Sequence, residues 1–273
     1  VTDAAVAEDL ALALRLAREA GELLLAHWAE RASLTVTAKG AGDFVSEADR
    51  EAEAWLRRGF ACARPDDGWL GEETGAAAGG ARRWIVDPLD GTTNFLHGLG
   101  HWAVSVALEE EGALSLGVVH DPLRGETFAA TRGCGATLNG SPIAVAAGGV
   151  MASALFGTGI PFGDMPHIDD HAADLARLMP ACAGVRRLGA AALDLAYVAA
   201  GRLDGFWERR LQPWDIAAGL VLLREAGARV EGWTPEERPE TSGTVIAAGP
   251  ALFPAFSARS VRVPRETGVH PAA

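Results

Sequence analysis

Cysteine is scarce and scattered in this chain: Cys62, Cys134 and Cys182 are odd in number and far apart. They make no disulfide framework and show no zinc-ligand spacing, so a reducing, cytoplasmic setting is expected. Long apolar runs are missing too. The most apolar stretch near the N-terminus is broken by Arg15, Arg18, Glu19 and Glu22, so neither a signal peptide nor a membrane span is expected. Basic charge is in short supply, with 24 Lys and Arg against 36 Asp and Glu and a net charge of −12. Neutralising nucleic-acid phosphates takes clustered Lys and Arg, so direct nucleic-acid binding is not expected. The tryptophans lack the interleaved basic residues of a base-stacking surface. No internal repeat or low-complexity segment stands out. What is there is 273 residues, 49% hydrophobic. That is enough for one large core or two packed subdomains, and the acidic excess suits a site that concentrates divalent cations.

The chain is organised around Trp84-Ile85-Val86-Asp87-Pro88-Leu89-Asp90-Gly91-Thr92-Thr93-Asn94-Phe95. Apolar, β-prone residues predict a buried strand that breaks at a proline and delivers two carboxylates at its end. Pro88 fixes φ and carries no N–H, so the turn is stiff and Asp87 and Asp90 can converge. Gly91 lets the backbone approach a ligand closely. Thr92, Thr93 and Asn94 supply hydroxyls and N–H groups of the kind found at a helix N-terminus, which favours an anion. Acids for a hard cation beside donors for a phosphate are the parts of a metal-assisted phosphoryl site.

Around that stretch, Asp3 to about Arg31 reads as an amphipathic helix through Leu10, Leu12, Leu14, Ala17, Leu24, Leu25 and Trp28. Lys39-Gly40-Ala41-Gly42 is expected as a mobile loop. Ser46 is an N-cap for a helix to about Ala61. Asp49, three residues on, fits either a capping box or a carboxylate turned to polarise a threonine hydroxyl. Trp69 to Thr74 is a short strand ending in Glu72 and Glu73, acids that become candidate metal ligands beside Asp87 and Asp90. Ala76 to Ala81 is a small-residue loop. Strands then follow at His101–Glu110, Ala113–Asp121 and Glu126–Thr131, with a hairpin turn at Asn139-Gly140. This half, residues 1–148, reads as two helices on a meandering antiparallel sheet.

Gly148-Gly149 marks a boundary. Residues 149–273 read as an alternating α/β half with a mixed sheet: strands at Ala152–Gly157, Gly184–Arg187, Asp204–Trp207, Arg229–Glu231 and Thr244–Ala247, helices at Asp169–Met179, Ala190–Ala200 and Pro213–Ala226. The tail after Pro264 is expected to be loose. Asp215 lies in the first turn of a helix and Glu208 at a strand end, both ordinary places for an acid. His97 and His101 read as surface or packing residues, since the candidate site is otherwise all carboxylate. Cys134, with no basic neighbour in sequence, reads as a turn residue rather than a nucleophile.

Gly71-Glu72-Glu73-Thr74, the central motif, and Pro213-Trp214-Asp215-Ile216-Ala217-Ala218-Gly219 together resemble the inositol monophosphatase family, which belongs to the magnesium-dependent, lithium-sensitive phosphatases. The likeness runs from the first helix to about Phe256. It implies a layered αβαβα sandwich, a homodimer and Mg²⁺-dependent hydrolysis of a phosphate monoester. Glu72, Asp87 and the Leu89 carbonyl match ligands of a first ion, and Asp87, Asp90 and Asp215 those of a second. A weaker third ion would share Glu72. Thr92 with Asp49 resembles the pair that activates the attacking water, and Gly91, Thr92 and Thr93 the phosphate cradle. Ala191 and Glu208 fall where the family meets the alcohol portion of its substrate. The compact length, and the absence of a long insertion or of extra basic contacts, favour inositol 1-phosphate over fructose bisphosphate or nucleotide 3′-phosphates. Histidinol phosphate is an alternative, because an acidic pocket welcomes an ammonium group. A non-enzymatic role as a partner of the transcription machinery is a second alternative, suggested by likeness to bacterial relatives at Arg202-Leu203-Asp204-Gly205-Phe206-Trp207-Glu208.

Overall fold

A computed structural model describes residues 3–31, 34–40, 43–160, 168–234 and 236–259. Turn chemistry builds its first half. Glu111 and Gly112 take φ of 51° and 75°, and Asn139 and Gly140 take 49° and 80°. Two successive positive φ values make the tight turn whose twist matches antiparallel strands. Those turns join β6 (Ala103–Glu110) to β7 (Ala113–Asp121), and β9 (Ala136–Leu138) to β10 (Ser141–Ile143). With β3 (Gly68–Gly71), β4 (Gly75–Ala77), β5 (Arg82–Asp90) and β8 (Glu126–Thr131) they form an eight-stranded sheet in the order β10-β9-β8-β7-β6-β5-β3-β4.

That sheet differs from the expected antiparallel meander at one pair. After β3 the chain turns back as β4 on the outer edge, then crosses to lay β5 on β3's other side, so β3 and β5 run parallel. Ala76 and Ala77, expected as the start of a loop, are therefore strand. Lys39 and Gly40 also belong to a strand, β1 (Val36–Gly40), paired with β2 (Asp43–Ser46). Ala41-Gly42 and the tail after Pro264 lie outside the described residues.

Helices α1 (Asp3–Ala29) and α2 (Glu47–Ala63) cover one face of the large sheet. Leu12, Leu16, Leu24, Ala52, Leu56 and Phe60 bury against Trp84, Val104, Val106 and Val118. Leu10, Leu14, Leu25 and Trp28 pack at the rim, and the alanines at 13, 17 and 20 carry much of the α1 stripe. The opposite face carries Ala103, Ala107, Val119 and Phe128, packed on α5 (Ala191–Ala199) and α6 (Pro213–Glu225). Beneath that helix pair lies a second sheet, β12-β11-β13-β15-β14, of β11 (Leu155–Thr158), β12 (Gly184–Arg186), β13 (Gly205–Glu208), β14 (Arg229–Glu231) and β15 (Val245–Ala248). It is mixed: β11 runs parallel to β12 and β13, and β15 antiparallel to β13 and β14. Its outer face is closed by α4 (Ile168–Leu178) and α8 (Phe253–Ser257), through Phe156, Leu178, Trp207, Phe253 and Phe256. The layers are thus helix, sheet, helix, sheet, helix. Three short helices, α3 (Thr92–His97), α7 (Pro239–Ser242) and α8, were not delimited by sequence periodicity, which needs more than one or two turns to register. Among the described residues no helix is long and apolar enough to cross a membrane.

Candidate active site

The two acids of the central motif owe their common direction to a defect in a strand. In β5, Asp87 pairs with Ser105 and Asp90 with Ala103. Three residues of β5 therefore run against two of β6, so Pro88-Leu89 is a bulge holding one extra residue. In a regular strand, residues three apart point to opposite faces. The bulge cancels that alternation, and Asp87 and Asp90 share the face of Ser105 and Ala103, toward α5 and α6. Ser105 Oγ donates to the Trp214 carbonyl of α6 at 3.2 Å, which marks that direction. Asp87 Oδ1 accepts the Leu89 N–H at 2.9 Å, fixing the carboxylate over the proline turn.

Beyond the bulge, Gly91 adopts φ 93° and opens α3. A side chain there would be strained, and its Cβ would lie 3.0 Å from the His101 carbonyl. The first intrahelical bond of α3 runs from the Phe95 N–H to the Gly91 carbonyl at 3.0 Å, so the Thr92 and Thr93 N–H groups stand ahead of it. Thr92 Oγ1 lies 2.8 Å from Asp49 Oδ1 and 3.1 Å from the Leu89 carbonyl. Asp49 Oδ2 accepts the Ser46 N–H at 2.9 Å and the Ser46 hydroxyl at 2.5 Å. Both sequence readings of Asp49 hold at once: one oxygen closes the capping box of α2 and the other meets the threonine. Glu72 sits in the turn after β3, which Glu53 of α2 braces by accepting the Glu73 and Thr74 N–H groups at 2.7 and 2.8 Å. Glu53 is fully buried. Any side chain on Gly71 would strike it, since a Cβ there lies 2.6 Å from Glu53 Oε1.

The second half supplies the facing wall. Asp90 Oδ2 accepts the Ala192 N–H at 2.8 Å, which docks the β5 terminus onto the start of α5 beside Ala191. Asp215 lies in the first turn of α6 and accepts the Gln212 N–H at 2.7 Å. Glu208 ends β13 with its carboxylate over Gly159, where a Cβ would lie 2.2 Å from Oε2. Asn94 stitches the two halves together by donating from Nδ2 to the carbonyls of His101 and Leu188, each at 2.8 Å.

These groups line one cavity of about 400 Å³. Glu72, Asp87, Leu89, Asp90, Gly91, Thr92 and Thr93 reach it from the large sheet, and Ala191, Glu208 and Asp215 from the opposite wall. Asp49 lies behind Thr92, joined to the cavity through that hydroxyl. The acids disturb one another. Burial, then Glu72, Asp90 and Asp215, push Asp87 well above the carboxylate range. Burial, against the Ala192 N–H, raises Asp90 to about 7, with Asp194 and Glu72 adding to it. Burial, then Asp90 and Glu72, raise Asp215, and burial, then Asp215, Asp194 and Asp90, raise Glu208. Asp87, Asp90 and Asp215 each spend one oxygen on a backbone N–H. Among the described residues, no three His, Cys, Asp or Glu side chains stand in an arrangement that would hold a metal ion as they are. The donor set is nonetheless all oxygen, and its mutual repulsion is the field that a hard divalent cation relieves.

Sequence reasoning missed three contributors. Asp194 lies in an otherwise apolar helix and lines the cavity, Glu53 sits on the buried face of α2, and Arg187 brings positive charge to the wall. An acid on the apolar face of a helix was the available signal for the first two. His97 is exposed. His101 does pack, edge-on to Tyr197, but its Nε2 also lies 2.9 Å from Asp194 Oδ1. Cys134 is exposed and away from the cavity.

Residues 5–263 match the inositol monophosphatase family. The chain is 48% identical over 233 residues to an inositol-1-monophosphatase of Rhizobium meliloti (strain 1021), covering 85% of each. It is 43% identical over 253 residues to the Nus factor SuhB of Pseudomonas aeruginosa, covering 90% of this chain and 93% of that one. The crystal structure of the extragenic suppressor protein suhB from Bartonella henselae superimposes with a TM-score of 0.90 at 39% identity, over 96% of this chain and 100% of that one.

Proposed function

The chain belongs to the inositol monophosphatase family and is a phosphoric monoester hydrolase, and on that premise we propose that it hydrolyses myo-inositol 1-phosphate to myo-inositol and phosphate with Mg²⁺ as cofactor. The observation that carries the reading is the β5 bulge, which turns Asp87 and Asp90 to one side, onto the cavity that Glu72 and Asp215 also line. The inositol-1-monophosphatase relatives support the choice of ester.

In this reading residues 1–148 supply Glu72, Asp87, the Leu89 carbonyl and Asp90, and residues 149–273 supply Asp215. Together these would hold two to three Mg²⁺. When bound, Mg²⁺ supplies positive charge against the phosphate dianion and a more acidic water. Thr92 donates its hydroxyl proton to Asp49, which leaves the threonine oxygen with lone pairs for a proton from the attacking water. Asp49, pinned by Ser46, keeps that hydroxyl aimed. The N–H groups of Gly91, Thr92 and Thr93 cradle phosphate oxygens. Ala191 and Glu208 border the departing alcohol. Water is the attacking group in this reading, and among the described residues no Cys or His lines the cavity. Lithium sensitivity, a homodimer and a cytoplasmic setting go with the same reading.

Two further readings have specific support. Glu208 and Asp194 in the wall would suit the ammonium of histidinol phosphate. The SuhB relatives named as Nus factors favour a protein-partner role beside the catalytic one. Phosphate release with Mg²⁺ from inositol 1-phosphate, histidinol phosphate, sugar phosphates and adenosine bisphosphate tests the choice. Fastest turnover of inositol 1-phosphate is expected. Faster histidinol phosphate turnover moves the substrate, and no release from any ester, with a protein partner still bound, favours the partner role.

A further inference from the structure

Asp194 is a buried acid that the reaction as described does not use. Its neighbours in α5, Ala192, Leu193, Leu195 and Ala196, are all buried and apolar, and Asp194 itself is 1% exposed. A carboxylate in such a run is costly to desolvate unless it is paired. Among the described residues, the side-chain hydrogen-bond partner that the geometry gives Asp194 is a histidine. Oδ1 meets His101 Nε2 at 2.9 Å, and the Arg187 guanidinium acts on the carboxylate only as a nearby charge that does not cancel its burial. The residue nevertheless lines the cavity. His101 is itself fixed, by the Asn94 amide on its carbonyl and by the Tyr197 ring. Asp194 is therefore an acceptor held in place at the cavity wall, and a carboxylate has more lone-pair sites than the one that meets His101.

The second acid of that wall, Glu208, is close enough for Asp194 to raise its pKa. The Arg187 guanidinium offsets both acids without cancelling the effect of their burial. Two carboxylates side by side accept hydrogen bonds and repel anions. Such a wall suits an alcohol bearing several hydroxyl or ammonium donors, and it disfavours one carrying a second phosphate.

We infer that Asp194, oriented by His101, is a specificity-determining substrate contact that accepts a hydrogen bond from a donor group on the alcohol portion of the ester, alongside Glu208. The inference rests on the hydrolase reading of the cavity. Its test compares myo-inositol 1-phosphate, rich in donors, with p-nitrophenyl phosphate, whose leaving group has none. Each ester is measured by steady-state kinetics and, separately, by calorimetric binding. Asp194→Asn keeps the shape but turns an amide donor to the substrate. The wild-type preference for the inositol ester, as a ratio of kcat/KM and as a ratio of Kd, is expected to fall roughly ten- to hundredfold. His101→Gln should shift the ratio the same way by less. Because the readout is a ratio on one protein, partial unfolding does not move it. Equal losses on both esters, or an unchanged ratio, overturn the inference. If the wild type binds both esters and cleaves neither, the hydrolase reading fails and the binding ratio alone decides. If it binds neither, both fail.

Discussion

Individual side chains in the cavity serve the fold and the site at once, and Asp90 does both. Asp90 caps the start of α5 with one oxygen and faces the other acids of the cavity with its remainder. Asp90→Asn keeps an acceptor for the Ala192 N–H while removing the charge. The fold should therefore survive, with an unchanged circular dichroism spectrum, while turnover of inositol 1-phosphate drops by about a hundredfold or more. A fully active variant would contradict the assignment. A second residue gives a pH-dependent prediction away from the cavity acids. His171 is buried against Trp207, with ring centroids 5.9 Å apart. Burial, then Arg209 and Arg187, lower its pKa from 6.5 to about 4. The unfolded chain binds a proton there more readily than the folded one, so this contribution is complete above pH 6.5 and is lost as pH falls toward about 4. Denaturation of His171→Phe across that window should show a smaller loss of stability on acidification than the wild type. Parallel curves would show that the imidazole does not govern the effect.

At the scale of elements, the close crossing of α6 over β7 decides where Asp215 lies. A Cβ on Gly117 would stand 2.5 Å from the Ala218 carbonyl oxygen and 2.9 Å from its Cα, both backbone atoms that cannot rotate aside. Gly117→Ala must therefore push the helix off the sheet. An expected cost of roughly 1–3 kcal/mol is readable by urea denaturation, accompanied by weaker Mg²⁺ activation because Asp215 moves with its helix. Wild-type stability in this variant would mean that the crossing is slacker than described. The elements legible in the sequence were those with enough length or turn chemistry to announce themselves. β7 and β8 match their expected bounds, and Asn139-Gly140 marks its hairpin. The elements that escaped are short or made of small residues. α3 has six residues, and β4 is Gly75-Ala76-Ala77, too short and too small in side chain to show a period. The β3–β5 pairing was hidden for another reason: local pattern says that a strand exists, not which neighbour it lies beside.

The whole molecule works as two sheets meeting through the α5–α6 layer, with acids contributed across it. That division explains which parts of the site the sequence disclosed. Glu72, Asp87 and Asp90 are near one another along the chain, at strand ends that the local pattern and Pro88 mark. Asp215 and Glu208 are far along it, at a helix start and a strand end where acids are commonplace, and only the family resemblance singled them out. Asp194 and Glu53 were passed over because a buried helix face does not declare what it packs against. The claim uniting these residues is that acids from both halves recruit divalent ions to cleave a phosphate ester. Phosphate release from myo-inositol 1-phosphate, followed as Mg²⁺ is added back to chelator-treated protein, tests it most directly. The account predicts no release in chelator and a saturable return of activity with Mg²⁺. Undiminished release in the presence of chelator would contradict it.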